Sequence, residues 1–176
     1  MSTRSTAITV ASAAAIAMVL PAIKKSEGYW PTAKVDTVGT GRPCTGGYGS
    51  TEGVKCGETH SETYWSDKLK DHVINDYDVA IGKCIHVELP DSVRAALIST
   101  AYNAGSSAVC HSPMVAKANA GDFVGACRSL EHWYIRAQGR VLRGLINRRR
   151  DDMKMCLEFL NEPKKPAEPV KPWWHK

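Results

Sequence analysis

KKSEGYWPTAKVDTVGTGRPCTGGYG, residues 24–49, is the stretch on which the fold turns. It opens on Lys24, Lys25, Ser26 and Glu27, the end of a first short helix. A Gly-rich region follows, with seven glycines between Asp36 and Gly57 and little helical periodicity, so hairpins are expected there. Glu27 therefore lies on a helix. Asp36, nine residues on, stands at the entrance to the β-region, and Thr45 lies inside it. Glycosidic hydrolysis needs one carboxylic acid to protonate the leaving oxygen. It needs a second carboxylate to activate water or attack the anomeric carbon. A helix-borne Glu facing a hairpin-borne Asp across a cleft supplies both, and Gly-rich backbone passes close to a sugar. Alone, the pair carries little weight, because most Glu and Asp side chains are solvated surface groups.

Downstream, the pattern turns helical. Thr59 with Glu62 fits a capping box, and Leu69, Val73, Ile74 and Tyr77 continue an apolar helical face. Pro90 and Asp91 open the next helix, whose buried stripe is Val93, Ala96, Leu97, Thr100 and Ala101 and whose stop is Gly105. Ser112 and Pro113 read as N-cap and first helical residue, with Gly121 as terminator. Asp122 starts a helix expected to end near Gly139. Val141 to Leu160 is the last and longest. The tail from Asn161 to Lys176 holds four prolines and four lysines and is expected to be disordered, with Trp173 and Trp174 able to stick to a surface. The sum is an α+β chain: a small β-lobe, then a helical lobe.

Upstream, Ser5 to Ile23 carries no charge, between Arg4 and the Lys24–Lys25 pair. A membrane span needs about 20 apolar residues, and this stretch is marginal and Ala-rich, with Pro21 near its end. Three readings stay open: a signal peptide cleaved at Ala11-Ser12-Ala13, an uncleaved signal anchor, and a soluble Ala-rich helix. The first two export the rest of the chain. The six cysteines (Cys44, Cys56, Cys84, Cys110, Cys127, Cys156) contain no C-x-x-C pair. A dispersed, even set suits three disulfides made in an oxidising compartment rather than zinc; buried free thiols are the alternative. Six cysteines allow 15 pairings. Cys44 and Cys56 flank the hairpin turn and are expected to pair. Cys110 and Cys127, on successive short helices, form the second expected bridge, and Cys84 with Cys156 the third. His60, His72, His86, His111, His132 and His175 lack ligand spacing, so no metal and no cofactor are expected. The net charge of +5 suits an anionic partner, such as nucleic acid, an acidic membrane or a cell envelope. Tyr29, Trp30, Trp65, Trp133 and Tyr134 could stack on sugar faces, but core packing is the expectation for most.

Several ordered blocks share a pattern. They are Ser26-Glu27-Gly28, Lys34-Val35-Asp36-Thr37-Val38-Gly39, Thr45-Gly46-Gly47-Tyr48-Gly49, Tyr102-Asn103-Ala104-Gly105 with the following Ser112–Asp122, and Gly144-Leu145-Ile146-Asn147-Arg148-Arg149-Arg150. Together they resemble the phage lysozymes of glycoside hydrolase family 24, over roughly residues 24–158. The resemblance implies a lysozyme-like α+β fold with the active-site cleft between a small N-terminal β-hairpin lobe and a larger helical lobe. It implies Glu27 as general acid, with a pKa raised by its surroundings, Asp36 as second carboxylate acting through water with inversion, and Thr45 as holder of that water. Arg148 would support the acid, and Gly47, Tyr48 and Asn103 would bind substrate. The chain departs from the family in having Gly46 and Ser50 where a bulky residue and often a His stand. Extra length at Gly41–Cys44 also bears on where the hairpin puts Thr45.

The resemblance further implies an endolysin that hydrolyses the β-1,4 bond between N-acetylmuramic acid and N-acetylglucosamine in peptidoglycan. The alternatives are a non-catalytic glycan-binding protein of the same fold and a lytic transglycosylase. Similarity to signal-anchor-release endolysins implies residues 1–23 as anchor, 24–160 as catalytic domain and 161–176 as tail. It implies export to the periplasm, tethering at the inner membrane, then release as an active enzyme; secretion with a cleaved signal peptide is the rival. The expected partners are glycan strands and the membrane, with no nucleic acid, and the expected state is a monomer.

Overall fold

The computed structural model describes residues 10–37, 41–137 and 139–160. Expectations for residues 1–9, and for the tail with Trp173 and Trp174, lie outside the described residues. The order is α1 (Ala13–Glu27), β1 (Trp30–Val35), β2 (Cys44–Gly47) and α2 (Glu62–His72). A π-helical turn (Val73–Asp78) leads into α3 (Val79–Gly82). Then come α4 (Asp91–Ala104), α5 (Ser106–Cys110), α6 (Pro113–Asn119) and α7 (Phe123–Arg128), the last running into a 3-10 turn (Ser129–His132). A short antiparallel pair, β3 (Arg136–Ala137) and β4 (Arg140–Val141), precedes α8 (Arg143–Glu158). The architecture is the expected α+β lysozyme-like one, with a two-stranded β-lobe and a helical lobe.

The first helix begins earlier than the sequence suggests, at Ala13 instead of near Lys24. Ser12 caps it: its hydroxyl accepts the Ala15 N–H at 3.1 Å, satisfying a donor that the helix start leaves open. Ala15, Ile16, Val19 and Ile23 are buried, one stripe at helical spacing. Lys24 and Lys25 lie in the last turn, where cations suit the helix dipole. Gly28 ends the helix at φ +71°, its N–H donating to the Lys24 carbonyl at 3.2 Å. Residues 13–23 of the segment expected to be an anchor are thus a helix packed into the domain. The expected boundary between 23 and 24 falls inside it.

Helix α4 is the hub. Every residue from Ser92 to Ala101 is buried, so the expected stripe is a helix covered on all sides. Ala95 and Ile98 meet Ile16, Val19, Ile23, Trp65, Leu69 and Val73. Val93, Ala96, Leu97 and Ala101 meet Ile81, Ile85, Val109, Met114 and Leu130. Its polar side chains are satisfied inside the core: Ser92 donates to the Cys156 carbonyl at 3.0 Å, Ser99 to Asp152 at 2.6 Å and Thr100 to the Ala96 carbonyl at 2.7 Å.

Three local expectations are corrected. The cap of α2 is Ser61, whose hydroxyl accepts the Tyr64 N–H; Thr59 is instead occupied by Thr32, 2.8 Å away, in a β-bridge. The helix capped by Asp122 stops at Arg128 and not near Gly139, because Trp133 turns to extended backbone and Tyr134 takes φ +54°. The first strand lies before Asp36, not after it. Helices capped by Ser112 and Asp122 start as expected.

Cys44 and Cys56 are joined, as expected. The other two pairings are corrected: Cys84 bonds Cys110 and Cys127 bonds Cys156, not Cys110–Cys127 and Cys84–Cys156. Which helices lie side by side decides this. The turn after α3 lies on α5, and Asn119 clamps that turn through the Cys84 carbonyl and the His86 N–H. Helix α7 lies on α8, bringing two buried cysteines together.

Candidate active site

The β-lobe is built on one indole. Trp65 is fully buried, and its Nε1–H donates to the Pro31 carbonyl at 3.0 Å. Strand β2 lies flat on the ring: a Cβ at Gly46 or Gly47 would come within 2.6 or 2.7 Å of it. Here the family's bulky residue has no room, which explains that departure. Strands β1 and β2 pair antiparallel with Lys34 opposite Thr45 and Val35 opposite Cys44. The Asp36 N–H continues the ladder to the Pro43 carbonyl at 2.8 Å. Cys44, in the extra segment, is bonded to Cys56 and ties the strand next to Thr45 to the following loop.

Glu27, the last residue of α1, faces this sheet. It shares a cleft of about 540 Å³ with Asp36 and Thr45, and Trp30, Lys34 and Gly49 also line it. Arg148, on α8, donates from Nη1 to Glu27 Oε1 at 2.5 Å, with its side chain only 9% exposed. Gly49, at φ +91°, brings backbone against the acid: a Cβ there would lie 3.5 Å from Glu27 Oε2 and 3.3 Å from the Tyr102 hydroxyl. Tyr102 donates to the Tyr48 carbonyl at 2.6 Å. Burial, and then the Glu27 charge, push its phenol far up, so it stays a donor. Thr45 Oγ1 is shielded and has no hydrogen-bond partner among the described residues.

Glu27, Asp36, Thr45 and Arg148 come together. The three expected substrate-binding residues do not join them. Gly47 is buried on Trp65, and Tyr48 is 4% exposed, its hydroxyl donating to Glu62 at 2.8 Å. Asn103 lies across Arg148 in a second cavity and accepts a hydrogen bond from Arg149. Arg149, next to Arg148 on α8, is fully buried and bonds Asp152 at 2.6 Å. Burial drives the Asp152 carboxyl up and the Arg149 guanidinium down, each against the pull of the other. Tyr102 and Gly49 escaped the sequence reading as site residues, although both stand within its quoted blocks. One grouping among the described residues has metal-ligating types within 4.8 Å of one another: Glu52, His72 and Asp76. None of the three lines the cleft.

The phage lysozyme family model matches residues 24–152. A SAR-endolysin of Bacteriophage PS119 is 34% identical over 124 residues, 69% of this chain and 71% of that protein. A SAR-endolysin of Pseudomonas phage phiKMV is 32% identical over 150 residues, 82% of this chain and 89% of the other. Among solved structures, an endolysin from Escherichia coli O157:H7 phage FAHEc1 superposes with a TM-score of 0.72 at 27% identity, covering 89% of this chain and 99% of that one.

Proposed function

Because the chain belongs to the phage lysozyme family and is a glycoside hydrolase that degrades peptidoglycan for cell lysis, we propose that Glu27 and Asp36 perform the hydrolysis. Glu27 gives its proton to the glycosidic oxygen between N-acetylmuramic acid and N-acetylglucosamine as that bond breaks. Asp36 takes a proton from a water whose oxygen bonds to the anomeric carbon from the opposite face, so the configuration inverts. The unpartnered Thr45 hydroxyl holds that water. Arg148 orients the acid. The observation that carries the reading is the Glu27 carboxyl held by Arg148 in the cleft that Asp36 and Thr45 share.

A lytic transglycosylase needs no second carboxylate, and Asp36 would then be idle. Mass spectrometry of digested peptidoglycan separates the cases. A free reducing end is expected. An anhydro sugar end, or no product, overturns the assignment.

The relatives named SAR-endolysin support a second part. The exported chain is first held at the inner membrane by residues 1–23, and release lets residues 13–23 fold as the first part of α1 against the domain. Glu27 closes α1, so the acid reaches its place only when α1 docks. No helix among the described residues is long and apolar enough to cross a membrane. The lytic periplasmic protein is expected to have the intact mass of the complete chain. A product lacking its first dozen or so residues means signal-peptidase cleavage and refutes release.

A further inference from the structure

Strand β1 offers the cleft two side chains that the hydrolytic scheme leaves idle. Trp30 is 47% exposed, a large apolar surface to leave in water. Lys34 holds its ammonium 2.8 Å from the indole centroid, where the ring's negative face attracts a cation. Both line the cleft with Glu27 and Asp36, and Lys34 lies opposite Thr45 in the ladder. Ala33, the one buried residue of the strand, anchors its other side near Trp65. Pro31 restricts Trp30 to extended backbone, and its carbonyl is pinned by Trp65 Nε1. The backbone that carries the indole is thus held in place before any ligand arrives, which lowers the ordering cost of binding. Lys34 enters none of the ion pairs among the described residues.

An exposed indole in a sugar cleft suits the C–H face of a pyranose, and an ammonium beside it suits an anion. Peptidoglycan carries both on one residue: the muramic acid ring and the carboxylates of its peptide arm. A carboxylate is a stronger partner for an ammonium than a ring face is. An arriving carboxylate therefore draws Lys34 off the indole and uncovers the ring for the sugar. We infer that Trp30 and Lys34 form a glycan subsite in which the indole stacks on a pyranose and the Lys34 ammonium, displaced from it, pairs with a carboxylate of the muramyl peptide arm. This rests on the reading of the cleft as the glycan site, and it adds selection for peptide-bearing over neutral glycan.

The test is binding without cleavage, by calorimetric titration of full-length protein carrying Glu27→Gln. Two probes are used: muropeptide tetrasaccharide bearing peptide arms, and the uncharged N-acetylglucosamine hexamer. Lys34→Ala is expected to weaken muropeptide binding about tenfold while hexamer binding stays within about twofold or tightens. Trp30→Ala is expected to weaken both about tenfold. Lys34→Arg should restore the muropeptide preference, and melting curves matching the parent establish that each variant is folded. Equal loss on both probes with Lys34→Ala, no loss on either, an unchanged hexamer affinity with Trp30→Ala, or no hexamer binding by the parent each overturns the proposal. Failure of the catalytic reading shows separately, as cell clearing that survives Glu27→Gln.

Discussion

Glu27→Gln is expected to slow peptidoglycan clearing by about 100- to 10,000-fold, the range lost when a positioned acid is removed. The amide keeps the shape of the carboxyl, and its oxygen can still accept from Arg148 Nη1, so α1 and α8 should stay joined. What is lost is the proton for the leaving oxygen. A turbidity assay on the purified protein measures the rate, and a melting curve shows that the fold survives. Asp36→Asn should be severely impaired as well, because the attacking water loses its base. A folded Glu27→Gln protein clearing cells near the wild-type rate would refute the assignment.

Asp78→Ala should be the most damaging change to stability. Asp78 ends the π-helical turn, and its side chain is 3% exposed. One carboxylate oxygen accepts from Arg94 at 2.6 Å, and the other accepts the Ala11 N–H at 2.7 Å. The residue thus joins a buried charge on α4 to the backbone that leads into α1. Removing one member of a buried ion pair costs about 3–5 kcal/mol, to be read from denaturant unfolding. Ser12→Ala, which removes only the cap and a contact to Asp91, should cost about 1 kcal/mol. If α1 docking activates the enzyme, Asp78→Ala should also delay lysis in cells by more than its loss of stability accounts for in the purified, folded protein. A loss below about 1 kcal/mol would show that the Asp78 pair does not hold α1.

Much of the site is legible in residues 24–49, because its landmarks are local. A glutamate before a helix-ending glycine, an aspartate nine residues on and a threonine in a Gly-rich stretch are each marked by neighbours in the chain. The failures share a cause. Thr59 looks like a cap because it stands three before Glu62, yet a bridge to Thr32, 27 residues away, claims it. Gly47 and Tyr48 are expected from the resemblance to bind substrate, yet both are buried, Gly47 against Trp65 and Tyr48 with its hydroxyl on Glu62. Arg149 reads as one of three adjacent charges, yet it is swallowed by a core that supplies Asp152, Thr100 and Asn103.

By itself the sequence determined the fold class, the order of the lobes and the family, and it singled out Glu27, Asp36, Thr45 and Arg148, which the fold brings together. It determined the caps at Ser112 and Asp122 too. These follow from side-chain chemistry and from hydrogen bonds that reach only three or four residues along a helix. The tertiary structure alone decided that residues 13–23 pack against α4, since the same apolar stripe would also suit a bilayer. It alone decided two of the three disulfides, because fifteen pairings are open to six cysteines and only the stacking of α3 on α5 and of α7 on α8 brings the right sulfurs together.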